Sequence, residues 1–211
     1  MKVVIHLGLH RTGTTFLQKE VFPKLKDVNF TRNYTIVTKM ERFKINLISN
    51  EDLSICPFDN KFHKGLTPTD RFVVIDRIKK IFPHASIILG LRDKEEWSRS
   101  LYSQYVKSGY RLSYPEFMMR FNITKFYDFE SYVDYIRKNF DNVFVYYLED
   151  LKKDNYKIVS DICSFIGVDV PKYKNKKVNM TMEDNLISRR KYYNVINFGF
   201  KKLLKLGMGL K

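Results

Sequence analysis

The chain opens with an apolar strand pattern that leads into a loop of glycine and threonine. Val3–Leu7 is apolar and β-branched, the segment Gly8-Leu-His-Arg-Thr-Gly13-Thr14-Thr15 follows it, and Phe16-Leu-Gln begins a helical pattern. A strand, a GxxxxG loop and a helix in this order are typical of a phosphate-binding loop. The glycines let successive backbone N–H groups turn toward one anion, and the helix N-terminus adds partial positive charge. The sequence therefore predicts an anion site at the carboxyl end of its first strand.

The position of the cation separates this loop from that of nucleotide hydrolases. Those loops carry Lys directly after the second glycine, where this chain has Thr14, and here Arg11 stands two residues before Gly13. No predicted strand ends in an Asp placed to hold magnesium, since Asp76 falls within a predicted helix and Asp150 begins another. The pattern disfavours an ATPase or a GTPase, and it leaves a nucleotide-dependent kinase-type enzyme open as an alternative.

Strand and helix patterns alternate along the rest of the chain. The predicted core strands are Ile45–Ile48, Ala85–Leu91 and Val143–Leu148, with a short strand within 29–38. The predicted helices cover 71–82, 94–107, 114–121, 128–139 and 155–166, with a long basic helix from Glu183 onward. This alternation predicts one α/β domain over 1–211, a three-layer sandwich with a central parallel sheet of four to five strands flanked by helices. Ligands of such sheets gather at the carboxyl ends of the strands.

A second pair of polar residues follows the clearest predicted strand. Arg92 comes directly after Ala85–Leu91, and Ser100 lies eight residues later in the next helix. Arginine offers a planar fork to a phosphate and serine adds a short donor, so the pair predicts a second phosphate site. Trp97, between them, is expected in the core rather than as a platform for a base.

The two motifs together resemble those of sulfotransferases that use 3′-phosphoadenylyl sulfate (PAPS), within the P-loop superfamily, and the chain is similar to bacterial carbohydrate-type members. His10-Arg-Thr-Gly-Thr-Thr15 is similar to the family loop K-[ST]-G-[TS]-[TS], which grips the 5′-phosphosulfate, and Arg11 stands where the family most often has Lys. Arg92 and Ser100 match the pair that holds the 3′-phosphate, although Asp93-Lys94 replaces the frequent Asn-Pro.

This resemblance implies a donor, a product and a set of binding residues. The donor is PAPS, the product is adenosine 3′,5′-bisphosphate (PAP), and no metal is required. The residues implied for donor binding are Gly8, His10, Arg11, Thr12, Gly13, Thr14, Thr15, Arg92 and Ser100.

Sulfuryl transfer to a hydroxyl also needs a base for the proton and donors that meet charge on the departing oxygen. Arg11 and the loop N–H groups suit the second role. The candidates for the base are Glu20, Glu41, Glu51 and His63. Glu51 is the predicted base because it ends a predicted core strand where the loop of the first strand also opens, and because heparan- and tyrosine-type family members use Glu. His63 is the next alternative, since cytosolic members use His.

The formal net charge of +15, from 38 Lys and Arg against 23 Asp and Glu, attracts polyanions without selecting one. A nucleic-acid-binding module is less favoured, because the basic residues are spread along the chain and no RNP-like or zinc pattern is present. By resemblance, the acceptor is expected to be a saccharide or glycoconjugate. Lys201, Lys202 and Lys205 alternate with leucines, which leaves contact with an anionic membrane surface open.

Several features bear on the compartment. No apolar run reaches the roughly 18 residues of a membrane span, and no signal-peptide pattern follows Met1. The two cysteines, Cys56 and Cys163, and the four histidines lack the spacing of a disulfide scaffold or a metal site. We expect a cytoplasmic protein that contacts a membrane at most peripherally. The sequence does not predict an oligomeric state.

Overall fold

Five parallel strands form the centre of the molecule in the computed structural model, which describes residues 1–32, 44–54 and 71–174. Their order across the sheet is β2-β3-β1-β4-β5, and every neighbouring pair runs parallel. The strands are β1 (Lys2–His6), β2 (Val28–Thr31), β3 (Ile45–Ser49), β4 (Ser86–Leu91) and β5 (Val143–Tyr147). The predicted α/β fold with a central parallel sheet is confirmed, with five strands in the described residues.

Helices cover both faces of the sheet. They are α1 (Thr14–Phe16), α2 (Arg71–Ile81), α3 (Lys94–Lys107), α4 (Tyr114–Arg120), α5 (Phe129–Asn139), α6 (Leu148–Lys153) and α7 (Asn155–Ile166). Beyond α1 the chain continues as a π-helical stretch, Leu17–Val21, and a 3₁₀ turn, Phe22–Lys24. The basic helix predicted from Glu183 onward lies outside the described residues. Within them, no helix has the length and apolarity needed to cross a bilayer.

The inner strands are buried at nearly every position because helices cover both of their faces. All six residues of β4 are buried, and so are four of the five in β1 and in β3. Alternate side chains enter two separate cores, as the period of a strand requires. One core lies between the sheet and α2–α5, and the other between the sheet and the segments 14–25 and 148–166. The result is the predicted three-layer sandwich.

The direction of the chain across the sheet changes at β1. From β1 the chain passes to β2 and β3 on one side, and then crosses to β4 and β5 on the other. Such a reversal opens a crevice at the carboxyl ends of the central strands. The segments that follow β3, β1 and β4 therefore meet at one edge of the sheet.

Candidate active site

The glycine and threonine loop leaves the carboxyl end of the central strand β1. Leu9 N–H donates to the Gly90 carbonyl on β4 at 3.1 Å, and the Thr12 hydroxyl donates to the Leu9 carbonyl. Gly13 has a φ of 87°, in the left-handed region that glycine enters without a steric penalty, and α1 begins directly after it. These bonds hold the loop as a tight turn against the sheet.

The loop presents donors that the rest of the described protein does not use. Among the hydrogen bonds of the described residues, none is donated by the backbone N–H groups of residues 10–15. The Thr14 hydroxyl, beside Gly8, is buried and near Tyr146, and within the described protein it meets no partner in good hydrogen-bond geometry. A buried hydroxyl that leaves its hydrogen bonds unmade is costly, so an anion bound here would satisfy it together with the N–H groups. This donor set fits a phosphate or sulfate group.

The two predicted phosphate motifs meet in the structure. Arg11 Nε donates to Ser100 Oγ at 2.9 Å, although the two residues lie about 90 positions apart in the chain. Burial and the neighbouring Arg92 guanidinium lower the pKa of Arg11, whereas the Glu51 carboxylate raises it. Two guanidinium groups thus lie close enough to repel each other. Such a pair is stabilised by an anion between them.

Arg92 is held by two carboxylates. Its Nη2 lies 2.8 Å from Glu96 Oε2 and its Nε lies 3.8 Å from Glu149 Oε1. The Arg92 side chain is 5% exposed, whereas those of Glu96 and Glu149 are 56% and 40% exposed. The carboxylates can therefore turn toward solvent when a more strongly charged phosphate reaches the arginine.

Glu51, the predicted base, follows β3 as the first residue of a 3₁₀ turn, Glu51–Ser54. Its charge acts on Arg11 and on Tyr146, which lie at the loop. The other candidates for the base lie elsewhere. Glu20 forms an ion pair with Lys24 at 3.4 Å on the segment that leaves the loop, and His63 and Glu41 lie outside the described residues. Of the candidates for the base among the described residues, Glu51 is the one whose charge raises the pKa of Arg11.

The outer side of the loop is held by α3 and by the turn after β3. Trp97 Nε1 donates to the His10 carbonyl at 3.0 Å, while the indole packs on Phe126 and Phe129 in the core, as predicted. His10 Nε2 lies 3.3 Å from Asp52 Oδ1, in the same turn as Glu51. Thr15 is exposed at the start of α1. His10 is thus held both by α3 and by the turn after β3.

A set of polar side chains beneath the loop was not predicted from the sequence. His6, Ser49 and Tyr146 lie on three strands and Gln18 on the π-helical stretch, and all four are buried. A signal was present in Val3-Val-Ile-His-Leu7, where a histidine interrupts an apolar strand, since a buried polar residue is the informative exception in a core. Its partners come from distant segments, and no local pattern pointed to them.

No known family model matches the chain, and no curated protein does. Among solved structures, a sulfotransferase from Alicyclobacillus acidocaldarius is similar, with a TM-score of 0.61 and 15% identity over 88% of each chain. The chain has a sulfotransferase fold. Mouse sulfotransferase SULT7A1, solved in complex with PAP, is also similar, with a TM-score of 0.53 and 14% identity over 92% of this chain and 62% of that one. The predicted fold class is confirmed by these likenesses.

Proposed function

We propose that this protein is a PAPS-dependent sulfotransferase that transfers the sulfuryl group to a hydroxyl of a saccharide or glycoconjugate. The observation that carries the proposal is the contact between Arg11 and Ser100 with Arg92 beside them, at the carboxyl ends of adjacent strands. A donor with two anionic groups matches two cationic groups joined in this way. Its fold is shared with a sulfotransferase solved with PAP, which supports the same donor here.

We assign the roles from the resemblance of the two motifs and from the positions of the residues. The loop N–H groups, the Thr14 hydroxyl and Arg11 bind the 5′-phosphosulfate, and Arg92 with Ser100 binds the 3′-phosphate. The acceptor oxygen attacks sulfur, its proton passes to the Glu51 carboxylate, and the bond from sulfur to the bridging oxygen breaks so that PAP leaves. Arg11 and the loop N–H groups meet the charge that develops on the bridging oxygen.

The experiment is thermal unfolding of the protein with PAP and with ATP at equal concentration, each with and without magnesium. PAP is expected to raise the melting temperature more than ATP does, because a ligand at 100 times its Kd stabilises by about 2.7 kcal/mol. Magnesium should not be needed, whereas kinase chemistry depends on it. Arg92→Ala should remove most of the preference for PAP.

Lys94→Ala is the matched control, because it removes an exposed cation of the same helix end without touching Arg92. It is expected to keep the preference for PAP. Equal stabilisation by PAP and ATP in the unaltered protein would contradict the proposal and favour the kinase-type alternative.

A further inference from the structure

The buried polar side chains beneath the loop form a continuous chain of hydrogen bonds, which we call the polar chain: Gln18, Ser49, His6, Tyr146 and the Thr12 carbonyl. Ser49 on β3 and His6 on β1 face each other in register, and Tyr146 reaches them from β5. Gln18, Ser49, His6 and Tyr146 have exposed fractions between 0% and 6%. Buried polar groups that satisfy one another in this way specify one arrangement of their surroundings.

Chemistry decides the direction of each hydrogen bond in the polar chain. The Ser49 carbonyl can only accept, so the Gln18 amide faces it with its NH₂ group, at 2.9 Å, and the same nitrogen donates to Ser49 Oγ at 3.0 Å. The Thr12 carbonyl also can only accept, so the Tyr146 hydroxyl donates to it at 3.2 Å. The Tyr146 oxygen then accepts from His6 Nε2 at 3.1 Å, which places the proton of the neutral imidazole on Nε2. His6 Nδ1 is left to accept from the Ser49 hydroxyl at 2.7 Å.

Both titratable members of the polar chain stay neutral at working pH. Burial lowers the pKa of His6 to about 3, so the imidazole keeps one donor and one acceptor. Burial also raises the pKa of Tyr146, so its hydroxyl keeps the proton that Thr12 accepts. The direction of donation is therefore the same across the neutral range.

Gly90 makes the polar chain possible. Tyr146 lies on β5 and His6 on β1, with β4 between them. A Cβ on Gly90 would overlap the Tyr146 hydroxyl and would lie 2.6 Å from Tyr146 Cζ and 2.9 Å from Thr12 Oγ1. Without that Cβ, the tyrosine ring crosses β4 and stacks beside His6, with ring centroids 6.0 Å apart. The glycine in the apolar run of β4 thus has a packing role that the sequence pattern did not show.

We infer that the polar chain orients the Thr12–Gly13 peptide of the loop, and that Tyr146 and His6 are positioning residues for the phosphosulfate. In a trans peptide the C=O and the following N–H point in opposite directions. Tyr146 holds the Thr12 carbonyl toward the sheet, so the Gly13 N–H points away from the sheet, to the side on which the loop takes up its anion. This inference rests on the proposed function and names the groups that set its anion site.

The test begins with Tyr146→Phe, which keeps the ring and removes only the hydroxyl. The Kd for PAP is expected to rise about ten-fold, because the Gly13 N–H would lose its alignment with the charged group that it binds. Tyr102→Phe is the matched control. Its hydroxyl also donates from a buried ring to a backbone carbonyl, that of Leu112, at 3.0 Å. Tyr102 follows Ser100 by two residues, about 200° around α3, and its loss should change the Kd less than two-fold.

A second readout needs no ligand and therefore separates this inference from the proposed function. The NMR resonance of the Gly13 amide should shift or broaden in Tyr146→Phe and stay unchanged in Tyr102→Phe. If the unaltered protein fails to bind PAP, the proposed function fails, while the Gly13 resonance still reports on the peptide. An unchanged resonance, or an unchanged Kd in Tyr146→Phe when the unaltered protein binds PAP, would overturn the inference.

Substitution of His6 gives a graded check. His6→Gln can still donate from its amide toward Tyr146, whereas His6→Leu cannot. The affinity for PAP should fall in the order unaltered protein, His6→Gln, His6→Leu, with folding confirmed by circular dichroism. Equal affinity in the two variants would remove His6 from the positioning role. Tyr146→Phe, the smaller change, keeps the test decisive if His6→Leu fails to fold.

Discussion

Arg11 has a left-handed backbone conformation, with a φ of 70°, that residues bearing a Cβ rarely adopt. Such a conformation costs of order 1–3 kcal/mol and persists only where the surroundings hold it. Here the bond from Arg11 to Ser100 and the bond from Trp97 to the His10 carbonyl hold it. In this conformation the Arg11 guanidinium contacts Ser100 of the second motif, and this contact links the two predicted phosphate sites.

Glu51→Gln and Arg11→Ala should separate the base from the anion-binding cation. Glu51→Gln keeps the shape but cannot accept a proton, so PAP affinity should change little while single-turnover rate falls about 100-fold or more. Arg11→Ala should lower both quantities, because the cation acts in the ground state and the transition state. Glu20→Gln is the matched control and should leave the rate near normal. A near-normal rate in Glu51→Gln would instead move the role to His63, or to Glu20 if Glu20→Gln slows the reaction.

The helix α3 organises one wall of the site. Asp93 caps it by accepting from the N–H groups of Glu95 and Glu96, which explains how the chain turns after Arg92 without the frequent Asn-Pro of the family it resembles. Residues spaced by three or four share a face of a helix, so Glu96, Trp97 and Ser100 all point toward the loop side. The first two turns of α3 thus carry an ion pair to Arg92, a bond to His10 and a bond to Arg11.

Glu96→Gln should tighten PAP binding. The carboxylate of Glu96 competes with the 3′-phosphate for Arg92, and partly exposed ion pairs are worth about 0.2–1 kcal/mol. Removing its charge should therefore lower the Kd for PAP about two- to five-fold, measured by isothermal titration calorimetry. Glu95→Gln removes a neighbouring charge of the same first helical turn and serves as the control. Weaker binding in Glu96→Gln would show that Glu96 orients Arg92 rather than competing for it.

At the scale of the whole molecule, the polar chain couples the stability of the fold to pH. His6 is fully buried and neutral, with a pKa of about 3 in the folded protein against 6.5 for an unperturbed histidine. The unfolded chain binds a proton at His6 below pH 6.5 that the folded protein does not take up until about pH 3. The contribution of His6 to stability is therefore fully present above pH 6.5 and is lost as the pH drops through this window.

The expected loss from His6 between pH 7 and pH 5 is about 2 kcal/mol in the free energy of unfolding. Urea unfolding of the unaltered protein and of His6→Gln at both pH values measures it, because every other titrating group is common to the two. The variant should lose about 2 kcal/mol less than the unaltered protein over this range. Equal losses in the free energy of unfolding would show that the folded protein binds a proton at His6 in this range, or that solvent reaches the imidazole.

The sequence by itself determined the elements and the two motifs, because both depend on local pattern. Apolar runs, caps and stops predicted most of the described strands and helices to within one or two residues, and helix 155–166 at its observed bounds. The loop 8–15 and the pair Arg92 and Ser100 were recognisable for the same reason, since each is contained within one strand–loop–helix unit.

Only the tertiary structure decided which of these units become neighbours. The order β3-β1-β4 brings Glu51, the loop and Arg92 to one edge of the sheet, and it depends on crossovers that no local pattern encodes. The polar chain depends on this strand order even more. Tyr146 reaches His6 across β4 only because Gly90 lies at the crossing point. Local chemistry selects the residues of a site, whereas the packing of distant strands sets the distances between them.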